Sequence, residues 1–488
     1  MSHINHKLFE ASESLTFDDV LVVPGWSEVL PGQAATATKI GGIALHIPFL
    51  SAAMDTVTEA NLAIALAREG GIGVLHRNLS IEDQADEIDR VKRAQAGMIQ
   101  SPISLGPDAT LADAEELMGH HKISGVPITN PDGKLVGILT NRDVRFCSTQ
   151  ENTRLVSEFM TSENLVTAPV GTSVEDAVEI LHKHRIEKLP LVDSNFCLQG
   201  LITVKDISTK IEKPNSTIDS EGRLRVAAAI GVTDYLERAE QLVDAGVDML
   251  VVDTAHGHSR GVVDTVAHVK QKWPKVTVVG GNVVTADGVK ALLDSGSDAI
   301  KVGVGAGSIC TTRIVAGAGM PQLSAIHECA EAAATSGVPI IADGGIVTSG
   351  DIVKAFAAGA NAVMLGNTLA GSDEAPGELE LIDGAMWKTY RGMGSRGAMR
   401  GRAADRYQTA AGGNAVSKHV PEGVEARVRY AGSISDLAGQ LVGGLKSGMG
   451  YAGAANIEDL RTNTKLTRIT NSGIRESHPH DVQVIRDE

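Results

Sequence analysis

Cys310 has the surroundings in this chain best suited to covalent chemistry. It lies in Gly303-Val304-Gly305-Ala306-Gly307-Ser308-Ile309-Cys310-Thr311-Thr312-Arg313, directly after the apolar run Ala299-Ile300-Lys301-Val302. That run reads as a buried strand, so the glycines open a loop at its carboxyl end. Glycine amides turned one way form an anion-binding concavity. Ser308, Thr311, Thr312 and Arg313 make the loop polar and cationic, which favours a thiolate. A nucleophilic thiol beside a bound phosphate is the chemistry implied. Cys147, Cys197 and Cys329 have plainer settings, and Cys329 in Ile326-His327-Glu328-Cys329-Ala330 reads as a small buried hydrophobe.

Other polar residues follow apolar runs in the same way. Asp253-Thr254-Ala255-His256-Gly257-His258-Ser259 follows Met249 to Val252, Asn282 and Thr285 follow Val276 to Gly281, Asp343-Gly344-Gly345 follows Pro339 to Ala342, and Gly366-Asn367 follows Ala362 to Leu365. A carboxylate beside two glycines can accept two ribose hydroxyls while the glycine amides meet a phosphate. Asp253 could equally cap the next helix. His256 and His258, two apart with no third ligand, do not make a metal site.

These loops need a scaffold that gathers strand ends. Strand-like runs at 226–232, 249–254, 276–282, 299–304, 339–345 and 362–366, separated by amphipathic helix-like stretches, join two earlier ones at 47–55 and 71–77. Eight such units are the count of an α/β fold of the (β/α)₈ barrel kind, whose chemistry sits on the carboxyl-end loops. An open doubly wound sheet is disfavoured because Gly-x-Gly-x-x-Gly is missing after the first strand.

Between about 95 and 208 an internal repeat interrupts this grammar. Leu111-Ala112-Asp113-Ala114 recurs as Val174-Glu175-Asp176-Ala177, and Leu135 to Asp143 recurs as Leu198 to Asp206, both at an offset of 63 positions (174 − 111 and 198 − 135). The domain reading is therefore 1–94 as the first part of the barrel, 95–151 and 152–208 as two copies of a small unit, and 209–488 as the rest. Residues 373–430 are too long for an ordinary loop and read as a lid.

With 488 residues and 43% apolar side chains the chain can bury two or three cores. Its net charge of −16 advertises no basic surface for nucleic acid or an anionic membrane, so any phosphate must be bound locally. Four cysteines without paired spacing fit a reducing cytoplasm. The first residues lack the apolar core of a signal peptide. The uncharged stretch from Ala355 to Ser372 is broken by three glycines and two asparagines and does not read as a membrane span.

The motif Gly-Ser-Ile-Cys-Thr-Thr-Arg at 307–313 resembles the catalytic loop of the inosine 5′-monophosphate (IMP) dehydrogenase family, whose close relatives are the guanosine monophosphate (GMP) reductases. The resemblance implies that Cys310 adds to carbon 2 of the hypoxanthine ring, that hydride leaves to NAD, and that the covalent intermediate is hydrolysed to xanthosine monophosphate. It implies Asp343 at the ribose of IMP, and Ser308, Gly344, Gly345, Gly366, Asn367 and Tyr390 around its phosphate. Gly392, Met393 and Gly394 fall at the purine edge. Asp253, Thr254, His256, Ser259, Asn282, Gly303 and Gly305 fall around NAD. Arg406 and Tyr407 match a flap whose arginine activates water, with Thr312 orienting that water and Glu422 supporting another proton route. Carbonyls of Gly305, Gly307 and Cys310, with Glu476, Ser477 and His478 of a neighbouring subunit, match a potassium site, which implies a homotetramer, with pairing into octamers left open. Ala306 and Asn367 depart from the family's usual proline and serine.

The two repeats resemble paired cystathionine-β-synthase (CBS) domains, a Bateman module that binds adenine or guanine nucleotides. Asp143 and Asp206 match its ribose-binding positions, and helix capping explains the same residues without a ligand. Two rival readings are a GMP reductase, against which the Arg406-Tyr407 flap and the inserted repeat count, and a nucleotide sensor without catalysis, against which the intact cysteine loop counts.

Overall fold

The structure is a computed structural model that describes residues 13–94, 99–100, 102–121, 123–145, 147, 151–400 and 420–482. Eight short parallel strands close into a barrel in chain order. They are β1 (Phe49–Ser51), β2 (Ile72–Leu75), β3 (Ala227–Ile230), β4 (Met249–Asp253), β5 (Thr277–Val283), β6 (Ala299–Val302), β7 (Ile340–Asp343) and β8 (Ala362–Leu365). The pairs Met364↔Leu50 and Ala227↔Val74 complete the ring between β8 and β1 and between β2 and β3. The barrel reading of the apolar runs holds strand for strand.

Successive strand residues face opposite ways, so every second one points inward. Leu50, Val74, Ala229, Val251, Val279, Ala299, Ile341 and Met364 form one buried cluster. A hairpin of Thr38–Ile40 and Ile43–Leu45 adds Ile40, Ile43 and Leu45 to it. Gly42 N donates to Oγ1 of Thr277, the first residue of β5, so the hairpin closes the amino-terminal mouth. Towards the carboxyl ends the inward rows continue Val251 to Asp253, Ala299 to Lys301 and Ile341 to Asp343. The apolar interior therefore ends in a charged layer at the opposite mouth.

After β8 the chain returns to this mouth. Strand β9 (Ala385–Arg391) pairs antiparallel with β10 (Glu425–Arg429) and, on its other edge, with Glu380–Ile382. The stretch that reads as a lid thus contributes a three-stranded sheet among its described residues, and Lys388 anchors it. Lys388 is buried, and its Nζ donates to the carbonyls of Ser372 and Ala375 at 2.8 and 2.6 Å.

Lys92–Pro214 and Ile218–Leu224 form a second compact unit. Its elements recur at the repeat spacing: helices Leu111–His121 and Val174–His184, strands Gly125–Thr129 and Lys188–Val192, and strands Leu135–Thr140 and Leu198–Thr203. Each copy has its own core, one around Leu111, Val126 and Leu139 and one around Ala177, Leu189 and Ile202. Among the described residues no helix is long and apolar enough to cross a membrane.

Candidate active site

Lys301 organises the charged layer. Its Nζ donates to Asp253 Oδ1 at 2.9 Å, to Asp343 Oδ2 at 2.6 Å and to Asn282 Oδ1. Asn282 Nδ2 in turn donates to Asp343 Oδ2 at 2.9 Å and to the Gly303 carbonyl at 2.7 Å. Lys301 is 1% exposed and Asp253 3%, so neither charge is stable there alone. An ammonium has three N–H donors, and all three are spent on this set. Sequence reasoning passed over Lys301. The available signal was a single lysine inside an apolar strand, in phase with the inward-facing Ala299.

The cysteine loop leaves β6 through Gly303, whose φ of +147° suits glycine and where an added Cβ would lie 2.1 Å from the Asp343 carbonyl oxygen. Cys310 Sγ lies 3.1 Å from Thr312 Oγ1, and that hydroxyl donates to Glu422 Oε2 at 2.8 Å. Backbone bonds hold this row: Thr311 N to the Glu422 carbonyl, Val424 N to that of Ile309, Glu422 N to that of Gly394 and Gly392 N to that of Val424. The segments carrying Cys310, the Gly392-Met393-Gly394 turn and Glu422 are thus stitched together. Because Thr312 spends its one O–H on Glu422, it can only accept from the Cys310 thiol.

Arg313 does not serve the loop as the sequence suggests. Its Nη2 donates to the carbonyls of Met320 and Val304, so the guanidinium braces the backbone between Gly305 and Gly319 and is not arranged around the thiol.

Tyr390, at the end of β9, brings its hydroxyl beside Ser308 and Gly366. An added Cβ on Gly366 would lie 3.1 Å from that oxygen, a tight contact that glycine avoids. Burial pushes the Tyr390 hydroxyl up to about 12, against a hydrogen bond with Ser308 that pulls it down and the charge of Asp343 that adds to the rise. It stays neutral at physiological pH. Met393 packs with Met54 and Ala398. Asn367 opens the short helix after Gly366, and Gly344 and Gly345 follow β7 with φ of +95° and +79°.

A further ion pair, unread in the sequence, fixes this segment to the barrel. Arg391 Nη2 and Nε meet Asp55 Oδ2 and Oδ1 at 2.6 and 3.1 Å, Asn78 Nδ2 donates to the same carboxylate at 2.7 Å, and Arg391 N donates to Thr56 Oγ1. The Asp55 carboxylate pushes the Arg391 guanidinium up from its ordinary value.

The residues aligned with a dinucleotide are less tightly gathered. Asp253, Asn282 and Gly303 meet at the charged layer. Thr254 Oγ1 donates to the Gly281 carbonyl at 2.9 Å, His256 is exposed, and Ser259, just before the helix Arg260–Lys272, donates its Oγ to the His256 carbonyl at 3.2 Å. A buried carboxylate and an amide at a strand-end mouth fit a ribose. The carbonyls of Gly305, Gly307 and Cys310 on one loop, and those past the helix Asn471–Glu476, are neutral oxygen donors of the kind a hard cation takes. Arg406 and Tyr407 lie outside the described residues, as does the side chain of Asp206. Asp143 Oδ2 accepts from Thr140 N and Oγ1 at 2.7 and 2.8 Å, a helix cap. In the second copy a cavity of about 540 Å³ is lined by Thr167, Ala168, Pro169, Val170, Val192, Asp193 and Ser194.

Fold and site together define a (β/α)₈-barrel protein with a cysteine loop after its sixth strand and a charged layer suited to ribose hydroxyls. The sequence model of the family described as IMP dehydrogenase / GMP reductase domain matches residues 14–480, and the chain belongs to that family. It is 57% identical over 478 residues to the inosine-5′-monophosphate dehydrogenase of Aquifex aeolicus, with 97% of each chain covered. It is 56% identical over 477 residues to that of Halalkalibacterium halodurans, again with 97% of each. Among solved structures it resembles a cysteine-to-alanine GMP reductase from Trypanosoma brucei in complex with guanosine 5′-monophosphate, with a TM-score of 0.89, 41% identity, and 98% of this chain and 100% of that one covered. That reductase spans the inserted repeat as well, so the insertion does not separate the two activities, contrary to the sequence reading.

Proposed function

We propose that this chain is a cytoplasmic enzyme that oxidises IMP to xanthosine monophosphate with NAD, a step towards guanine nucleotides. The observation that carries the reading is the row Cys310, Thr312 and Glu422 standing at the barrel mouth that also holds Asp253 and Asp343. Asp343 accepts the ribose hydroxyls of IMP, Tyr390, Ser308, Asn367 and the amides of Gly345 and Gly366 hold its phosphate, and the Gly392 to Gly394 backbone meets the purine edge. Asp253 accepts a ribose hydroxyl of the dinucleotide. NAD, when bound, supplies the hydride acceptor.

Cys310 gives its proton to Thr312, which passes its own to Glu422, and the thiolate forms a bond to carbon 2 of the purine as hydride leaves that carbon. Water then adds to carbon 2, the carbon–sulfur bond breaks and the thiolate is restored. Arg406 takes the proton of that water, Thr312 orients it, Glu422 offers a second route, and Tyr407 fills the vacated dinucleotide site. The chain acts as a homotetramer in which the carbonyls of Gly305, Gly307 and Cys310 bind potassium with those of Glu476, Ser477 and His478 from a neighbouring copy. The inserted repeat is a CBS pair that binds adenine or guanine nucleotides.

The test is mass spectrometry of acid-quenched enzyme after IMP and NAD, beside steady-state assays with IMP and NAD and with GMP and NADPH. A purine adduct on Cys310, absent in Cys310→Ala, with turnover of IMP is the expected result. Turnover of GMP alone would replace this reading by the reductase.

A further inference from the structure

Two of the carboxylates proposed to bind ribose belong to different ligands, yet one ammonium holds both. Asp343, at the end of β7, is assigned to IMP, and Asp253, at the end of β4, to the dinucleotide. Lys301, on β6 between them, spends one N–H on each and the third on Asn282. Asn282, on β5, donates back to Asp343. Four consecutive barrel strands therefore meet at one buried cation, and the strand pairing fixes its place: Asp253 lies level with Gly281, and Gly281 with Lys301.

We propose that Lys301 is a positioning residue that couples the two nucleotide sites by holding Asp253 and Asp343 on a single ammonium. The proposal rests on the ribose assignments above. The physical reason is competition for one charge. A carboxylate oxygen that shares an ammonium with another acceptor feels only part of that charge, and it keeps more electron density for a ribose hydroxyl. Remove one carboxylate and the other, beside the neutral Asn282 amide, carries a larger share of that charge and accepts more weakly. The same tripod sets the distance between the two riboses, and hence between purine and nicotinamide, where small misplacements are costly. Coupling of this kind is reciprocal in binding free energy.

The test uses the full chain carrying Cys310→Ala, so that binding is read without turnover, and calorimetry with IMP alone and NAD alone. Asp343→Asn should weaken IMP and Asp253→Asn should weaken NAD. If neither weakens its own ligand, the ribose assignments fail. The coupling is read from the cross terms: Asp253→Asn should weaken IMP, and Asp343→Asn should weaken NAD, each by about fivefold or more, the lower end of usual site-to-site coupling. In the Lys301→Met background both cross terms should fall to about one. Lys301→Arg, which keeps the charge, should restore the cross terms if charge sharing is the cause. Own-ligand losses with no cross terms would overturn the coupling and leave the assignments standing. Should Lys301→Met fail to fold, the two aspartate variants and Lys301→Arg still decide, since a purely structural lysine predicts no cross terms in either aspartate variant.

Discussion

Glu422→Gln isolates the first proton transfer. The carboxylate Oε2 accepts the Thr312 hydroxyl at 2.8 Å, and Cys310 Sγ lies 3.1 Å from the same hydroxyl oxygen. A glutamine can keep the accepting oxygen in place, and the backbone bonds of Glu422 to Thr311 and Gly394 do not involve its side chain. The substitution therefore removes basicity and little geometry. With Thr312 committed as donor to Glu422, the only proton that can leave the thiol along this row ends on the carboxylate. A positioned general base is worth roughly 10²- to 10⁴-fold. At the lower bound, adduct formation and the first-turnover burst of NADH should fall by about a hundredfold, or about 2.7 kcal/mol at 1.36 kcal/mol per tenfold.

The assay is stopped-flow absorbance of the first turnover, with IMP and NAD saturating. Raising the pH supplies a second check: hydroxide can take the thiol proton without the relay, so the variant's burst should recover towards that of the parent chain. A variant that keeps a full burst at pH 7 and loses only steady-state rate would refute the reasoning. Glu422 would then serve water in the second half-reaction and not the thiol in the first.

Arg406→Ala should do the converse, keeping the burst while hydrolysis slows on the order of a thousandfold, about 4 kcal/mol; single-turnover kinetics with detection of the accumulated adduct checks it. Replacing 95–212 by a short linker should leave a folded, active barrel that no longer responds to ATP or GTP, measured by circular dichroism and steady-state rate. The residues retained after the cut include Thr217, whose N donates to the Ala67 carbonyl at 2.8 Å. Burial pushes the Cys329 thiol up to about 12 from an ordinary 9.0. A raised folded value means the stability it contributes is complete below about pH 9 and is lost as pH climbs towards 12, so the thermal midpoint should fall across that window and Cys329→Ala should flatten part of the fall.

The barrel was legible because its signals are local. Short apolar runs ending in glycine or a polar residue mark strand ends whatever their partners are, and the repeat announces itself by spacing alone. Contacts across the barrel were not legible in the same way. Thr312 and Glu422 are 110 positions apart and meet only because Cys310 pairs with Gly423. Arg313 looked like a cation for the thiol because it is three residues away in the chain, but the loop turns between Gly305 and Gly319 and gives its guanidinium to backbone carbonyls. Proximity in sequence misleads wherever a loop folds on itself.

Lys301 shows what a closer reading of phase would have added. Once the runs are taken as barrel strands, period two puts residue 301 on the same face as Ala299, and puts Asp253 and Asp343 on the same faces as Val251 and Ile341. A lysine directed into a closed barrel must find anions, because the desolvation of a lone buried ammonium is too costly to be met otherwise. Among the described residues of the barrel strands the carboxylates are those two aspartates, so the cation and both acids are implied as one cluster. The apolar interior below shields that cluster from one side, while Asp343 stays partly open towards the mouth. With one ammonium held by two acids, the loss of either is a disturbance that the other must feel.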